Sequence, residues 1–291
     1  MTTPVYRGYD QAALDAQYNL RALVPEHPEH FRRWAEAGAE ARARLDGHLD
    51  LPYGDDPKQR LDYFPAAENG APLLAFIHGG YWQALDKSDF SWLAPAWVER
   101  GVSFASINYP LAPEAGIPEM VESCREAALW LWHNAYSLGA DRGRLVLAGH
   151  SAGGHLATML LASDWTALGA LPADLVKAAC SVSGVYDLEP IRLSYQNPIL
   201  KLDEATARSM SPIAARPRPE RPLLLAVGER ETPEFLRQQD EMAAHWGKGG
   251  KTEAILLPGL DHFEAVGCLA DPSSPALGWL ERRLGIAASP M

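Results

Sequence analysis

Residues 149–153 read Gly149-His150-Ser151-Ala152-Gly153, a G-x-S-x-G, between the apolar run RLVLAGH and the Ala- and Leu-rich stretch AGGHLATMLL. A strand that enters a helix through such a turn pushes its serine hydroxyl into the open. The small neighbours are needed because the strained turn has no room for a Cβ. A helix starting at Ala152 would set its positive end beneath any anion formed there. The same letters suit a serine helix cap with packing glycines. A strand before and a helix after favour Ser151 as a nucleophile.

A neutral serine needs a base within hydrogen-bond reach. Of the nine histidines, His27, His30 and His48 precede the parallel-strand region and read as surface residues. His133 and His245 fall inside helix patterns. His150 and His155 flank the serine too closely in sequence to approach its Oγ from the far side, so His150 reads as a local packing residue. His262, in LLPGLDHFEAVG, follows the last apolar run and a Pro-Gly turn. It completes the chain order serine, acid, histidine and is the candidate base.

The base in turn needs a carboxylate to fix its tautomer. Glu229, Glu231 and Glu234 follow PLLLAVG in ERETPEFLRQQ, Asp187 follows the preceding run in SGVYDLEP, and Asp261 adjoins His262. Position puts Glu231, at the loop apex before Thr232, first and Asp187 second. His150 and His155 are five apart and do not share a helix face as two metal ligands at i, i+4 would. No metal and no cofactor is expected.

These residues need a frame that gathers them. Six short apolar runs, PLLAFIH, VSFASIN, RLVLAGH, AACSVSG, PLLLAVG and TEAILLPG, lack strict alternation, as strands covered on both faces do. Helix patterns lie between them at Phe90–Arg100, Pro118–Ser137, Ala152–Ser163 and Thr232–Trp246, with another at Pro275–Leu284. The β-α-β-α order predicts an α/β fold with a mostly parallel sheet and helices on both faces. Ahead of it, HLDLPYG and QRLDYFP alternate around DDPK and predict an antiparallel hairpin.

Residues 1–48 read as a helical arm broken around Pro25 and Pro28, and 49–287 as the main domain. The Pro-rich stretch 188–219 reads as an excursion over the strand ends, either a partial lid or a plain long connection. Ligands of open α/β sheets sit at the carboxyl ends of the strands. His78, Asn108, His150, Ser183 and Gly228 all fall near such ends.

The totals bound the partners. Of 291 residues, 26 are basic and 37 acidic, for a net charge of −11. Nucleic acid and anionic membranes are therefore not the expected partners, since both need clustered Lys and Arg. Three cysteines without C-x-x-C spacing fit a reducing compartment and buried thiols. No secretory pattern opens MTTPVYRGYD and no apolar run is long enough to span a bilayer. The expectation is a cytoplasmic enzyme acting on a small molecule, with a homodimer left open.

With these residues in hand, the chain resembles the α/β-hydrolase superfamily over roughly residues 50–285. His78-Gly79-Gly80-Tyr81-Trp82 is similar to the His-Gly-Gly-x-Trp of its arylformamidase (kynurenine formamidase) branch, and GHSAGGHLA at Gly149–Ala157 to that branch's nucleophile segment. GERETPEFLRQ resembles the acid segment, which supports Glu231 although the branch more often has Asp there; GLDHF resembles the loop of the base.

The resemblance implies a cofactor-free serine hydrolase with Ser151, His262 and Glu231 as its triad. The backbone N–H groups of Gly80, Tyr81 and Ala152 would hold the oxyanion. The substrate would be an aryl formamide or a small ester. Tyr81 and Trp82 could wall an aromatic substrate, or Trp82 could pack in the core behind the turn. The alternatives are a general carboxylesterase or carbamate/amide hydrolase and, more remotely, a non-catalytic binding protein on the same fold.

Overall fold

The computed structural model describes residues 3–215, 221–249 and 251–286. The chain opens with three helices, α1 (Gln11–Tyr18), α2 (Leu20–Leu23) and α3 (His27–Arg44). Asp10 caps α1 by accepting from the Ala13 N–H at 3.0 Å. Helix α3 begins inside the break expected around the two prolines. Pro28 falls in its first turn, where the missing N–H has no intrahelical acceptor to lose.

Eight strands form one sheet: β1 (His48–Pro52), β2 (Arg60–Phe64), β3 (Ala71–Ile77), β4 (Ser103–Ile107), β5 (Ala140–His150), β6 (Ala178–Val182), β7 (Leu223–Gly228) and β8 (Thr252–Leu257). Their order is β1-β2-β4-β3-β5-β6-β7-β8. Strand β2 pairs antiparallel with both β1 and β4, and every pairing from β4 to β8 is parallel. The hairpin and all six apolar runs therefore stand as the sequence leads one to expect. β3, β4, β6 and β7 are buried at every residue, which is why they carry no polar alternation. β8 lies at the edge and exposes half its residues, Leu256 among them.

The connecting helices are α4 (Ala94–Val98), α5 (Ile117–Asn134), α6 (Ala152–Ala162), the short α7 (Glu189–Leu193), α8 (Asn197–Leu200) and α9 (Glu204–Ser209), then α10 (Pro233–Trp246) and α11 (Pro275–Leu284). Helices α6 and α11 both pack on the central strands. The pattern at Phe90–Arg100 is only partly α-helical. A 3-10 turn over Lys87–Leu93 starts it, held by reciprocal caps between Asp86 and Asp89, and Pro95 opens α4. Within 188–219, the end of α7 and the residues after it reach the amino-terminal helix α1: Gln11 donates to the Leu193 carbonyl at 2.9 Å, and the Tyr195 N–H donates to Asp15 at 2.8 Å. The segment 216–220 of RPRPERP lies outside the described residues.

Helix α3 is clamped to the sheet. A Cβ on Gly38 would stand 2.2 Å from the Ser88 carbonyl oxygen, so only glycine permits that approach. Beside it the buried Lys87 ammonium pairs with Asp62 at 2.9 Å and Asp50 at 2.6 Å, and Arg42 of α3 reaches Asp62 at 3.0 Å. A buried charge needs such partners, and losing one would leave the others uncompensated. All three cysteines are free and buried. Burial pushes the Cys180 thiol up to about 12, so it stays protonated and unreactive. Among the described residues no helix is long and apolar enough to cross a membrane.

Candidate active site

The parallel register brings the strand ends to one edge. Ile77 is level with Gly149, His150 with Val182, Val182 with Ala226, and Gly228 with Leu257. Ser151 follows β5 directly, at φ 56° and ψ −121°. Its N–H is tied to the Val182 carbonyl at 2.8 Å. A β-carbon on Gly153 would stand 2.0 Å from the Ile77 carbonyl oxygen, and one on Gly149 2.1 Å from the Gly153 carbonyl oxygen. The two glycines of the motif are there because strand, turn and helix touch backbone to backbone.

His262 lies on the loop after β8, and Glu231 on the loop after β7. His262 Nδ1–H donates to Glu231 Oε2 at 2.7 Å. The second carboxylate oxygen accepts from the Ser183 hydroxyl at 2.5 Å and the Gly228 N–H at 2.9 Å. Ser183 adopts a positive φ of 52°, uncommon outside glycine, with its hydroxyl on Glu231. With Nδ1 carrying the proton, a neutral His262 ring has Nε2 as its free acceptor.

The other carboxylates are engaged elsewhere. Asp187 accepts from the Tyr6 hydroxyl at 2.8 Å and lies 3.7 Å from Arg237. Glu229 accepts from the Gly259 N–H, Glu234 from the Tyr18 hydroxyl and Arg237. Asp261 turns back to cap the N–H groups of Phe263 and Glu264.

After β3, the chain takes three successive positive φ angles at Gly80 (106°), Tyr81 (52°) and Trp82 (57°). The Gly80 carbonyl accepts from the N–H groups of Gln83 and Ala84, closing the turn. Among the described residues none accepts a hydrogen bond from the N–H of Gly80, Tyr81 or Ala152. His78 anchors the base of this turn, stacked 4.6 Å from Tyr109, with Nε2 donating to Asn108 Oδ1 at 2.9 Å.

Ser151, His262, Gly80 and Tyr81 line one cavity of about 40 Å³. Trp82 does not reach it. It is fully buried, edge-on to His155 with ring centroids 5.2 Å apart. The expected aromatic wall therefore loses its tryptophan to the core, and Tyr81 remains, its hydroxyl donating to the Tyr18 carbonyl at 2.6 Å. His150 also lines the cavity and is buried; it donates from Nε2 to the His262 carbonyl. Its lack of solvent and the nearby His262 ring hold its pKa well below the ordinary histidine value.

The family model described as BD-FAE matches residues 61–214, more than half of the chain. The chain belongs to the BD-FAE family and is a homologue of kynurenine formamidase. The kynurenine formamidase of Salmo salar is 32% identical over 251 residues, covering 83% of each chain. A crystal structure from Silicibacter sp. TM1040, described as a candidate thioesterase, superposes with a TM-score of 0.81 at 30% identity, covering 90% of this chain and 96% of that one. An esterase of Pyrobaculum calidifontis shares the fold, with a TM-score of 0.70 at 17% identity over 99% of this chain and 100% of that one. This BD-FAE family member is an enzyme, an α/β-fold hydrolase.

Part of the cavity wall comes from outside the family's matched segment. Leu20, Arg21, Phe31 and Trp34 of the amino-terminal helices close it, with Phe263 from the histidine loop. The sequence held a weak signal for these. Phe31 and Trp34 are three apart and so share a helix face, but nothing in their spacing says what that face covers.

Proposed function

We propose that the chain is a serine hydrolase that cleaves a small acyl group, a formyl group above all, from an aromatic amine. The observation that carries this is that Ser151, His262, Gly80 and Tyr81 line one cavity of only about 40 Å³, with the N–H groups of Gly80, Tyr81 and the adjoining Ala152 unpartnered among the described residues and Glu231 on the far nitrogen of His262. So small a space favours a small acyl group such as formyl or acetyl over a bulky one.

In the proposed reaction His262 Nε2 takes the Ser151 Oγ proton as Oγ bonds to the formamide carbon. The carbonyl oxygen becomes an oxyanion held by the N–H groups of Gly80, Tyr81 and Ala152, each typically worth about 3–4 kcal/mol of barrier. The C–N bond then breaks as the imidazolium returns its proton to the amine nitrogen. Water, deprotonated by His262, attacks the formyl ester, and formate leaves with Ser151 reprotonated. An aryl amine is a better leaving group than an alkyl amine, which brings such an amide within reach of ester-cleaving machinery. The homology to kynurenine formamidase supports an N-formylkynurenine-like substrate.

A second reading is a short-acyl carboxylesterase, favoured by the same cavity because an acetyl ester also fits it. Turnover of N-formylkynurenine and p-nitrophenyl acetate by wild type and Ser151→Ala separates the two. The formamidase reading expects efficient formamide cleavage that Ser151→Ala abolishes, with a fluorophosphonate probe labelling Ser151 in the wild type. Fast ester cleavage with negligible formamide cleavage would overturn it. Wild-type rates in Ser151→Ala would overturn both readings.

A further inference from the structure

A chamber of about 430 Å³ adjoins the catalytic cavity and shares Leu20, Arg21, Gly80 and Tyr81 with it. The small cavity admits an acyl group, so the remainder of a substrate has to lie beyond it. The chamber falls within the size range of ligand sites, roughly 300–1,000 Å³. Its neutral polar side is pre-arranged: Gln83 donates to Gln196 at 2.9 Å, and Gln196 donates to the Tyr195 hydroxyl at 2.9 Å.

Arg21 is the one charged side chain among the chamber's described lining residues. Its guanidinium sits 5.6 Å over the ring of Phe31, a wall of the catalytic cavity. Among the described residues no carboxylate pairs with it. Its neighbours on α3 behave differently, since Arg32 and Arg33 both close on Glu29. What sets Arg21 apart is its place: the guanidinium is steadied on a ring at the junction of the two cavities, with no carboxylate among the described residues closing on it.

We propose that Arg21 is a specificity-determining residue that binds a carboxylate on the leaving-group side of the substrate. The guanidinium fork matches a carboxylate in two parallel hydrogen bonds. A single cation among neutral amides and rings suits a monoanion. This rests on the acyl-transfer reading of the site above and adds to it the charge of the group that departs.

The test uses two matched pairs, 3-formamidobenzoate with 3-formamidobenzamide and 3-acetoxybenzoate with 3-acetoxybenzamide. Each is run on wild type, Arg21→Gln and Arg21→Lys. Wild type is expected to favour the carboxylate over the carboxamide by about tenfold in kcat/KM, carried by KM and shrinking at high salt. Arg21→Gln is expected to bring that ratio near one, and Arg21→Lys to keep part of it. A wild-type ratio near one, or a ratio that Arg21→Gln leaves unchanged even as both rates fall together, overturns the proposal. Cleavage of the acetoxy pair alone would overturn the formamide reading while the ratio still reports on Arg21. Turnover of neither pair would overturn the acyl-transfer reading and this inference with it.

Discussion

His150, the residue before the candidate nucleophile, donates from Nε2 to the main-chain carbonyl of His262 at 2.8 Å. The two rings lie 4.8 Å apart. One hydrogen bond thus ties the turn after β5 to the loop after β8, across 112 residues of sequence. His150 is therefore placed to position the loop that carries the candidate base. His150→Leu would leave a buried carbonyl without its donor, a cost of about 1–3 kcal/mol. The expected outcome is a lower thermal midpoint by calorimetry together with a kcat reduced at least tenfold, on the order expected when a reacting group drifts by a fraction of an ångström. A kcat loss with no change of KM distinguishes base positioning from damage to substrate binding. Unchanged stability and rate would refute the coupling.

Three buried histidines set a pH limit on stability. Burial holds His78 and His150 below the ordinary histidine value, and pushes His155 down to about 4. Each is neutral in the folded chain where the unfolded chain would take up a proton below about pH 6.5. Unfolding then binds protons, so stability is fully present above that pH and is lost as the pH falls towards the folded values. His155 alone accounts for about 3 kcal/mol between pH 6.5 and pH 4. Urea unfolding at pH 7.5 and pH 5 is expected to show a lower midpoint at pH 5. His155→Gln, which keeps a donor for the Met210 carbonyl now reached at 2.7 Å, should flatten part of that dependence.

The legibility of this site in the sequence divides along physical lines. Strand runs were readable because burial on both faces removes their polar residues, and Ser151 because its glycines are dictated by backbone contact at 2.0–2.1 Å. The carboxylate partner of His262 could be ranked but not fixed. Glu231, Glu229 and Asp187 all sit just past strands, and only side-chain direction separates them. Trp82 was ambiguous for a related reason, since a tryptophan after a turn can face a cavity or the core and the choice depends on the helix across from it. The amino-terminal helices gave only the shared face of Phe31 and Trp34, because a contact between residues 20–34 and 262–263 leaves no local pattern that says what such a face covers.

The turn at residues 79–82 makes a sharp prediction. Gly80 has φ 106°, and a Cβ there would come within 2.1 Å of the Ala84 carbonyl oxygen. Gly80→Ala must therefore open the turn that lines the cavity with Gly80 and Tyr81. The expected loss is about 10²–10³ in kcat if one oxyanion donor is withdrawn. Slower but complete labelling by a fluorophosphonate would show that Ser151 and His262 remain in place. A kcat within twofold of wild type would mean that the oxyanion is not held by this turn.

Glu231 receives three donors, from His262, Ser183 and Gly228, and its side chain is fully buried. Glu231→Gln keeps the volume but brings an amide that can donate to His262 Nδ1. The ring would then be driven to carry its proton on Nε2, where it can no longer accept one from Ser151. A wrong tautomer of this kind costs on the order of 10⁴ in kcat in the best-studied serine hydrolase triad, and a similar loss is expected here with KM little changed. Ser183→Ala, which removes one donor and leaves the carboxylate on His262, should cost far less, about tenfold at most. Steady-state kinetics of the two variants against one acetyl ester decide the matter. If Ser183→Ala proved as damaging as Glu231→Gln, the hydroxyl rather than the carboxylate would be the group that orients the base. A mild effect of Glu231→Gln would reopen Asp187, whose carboxylate is held by Tyr6, as the partner that matters.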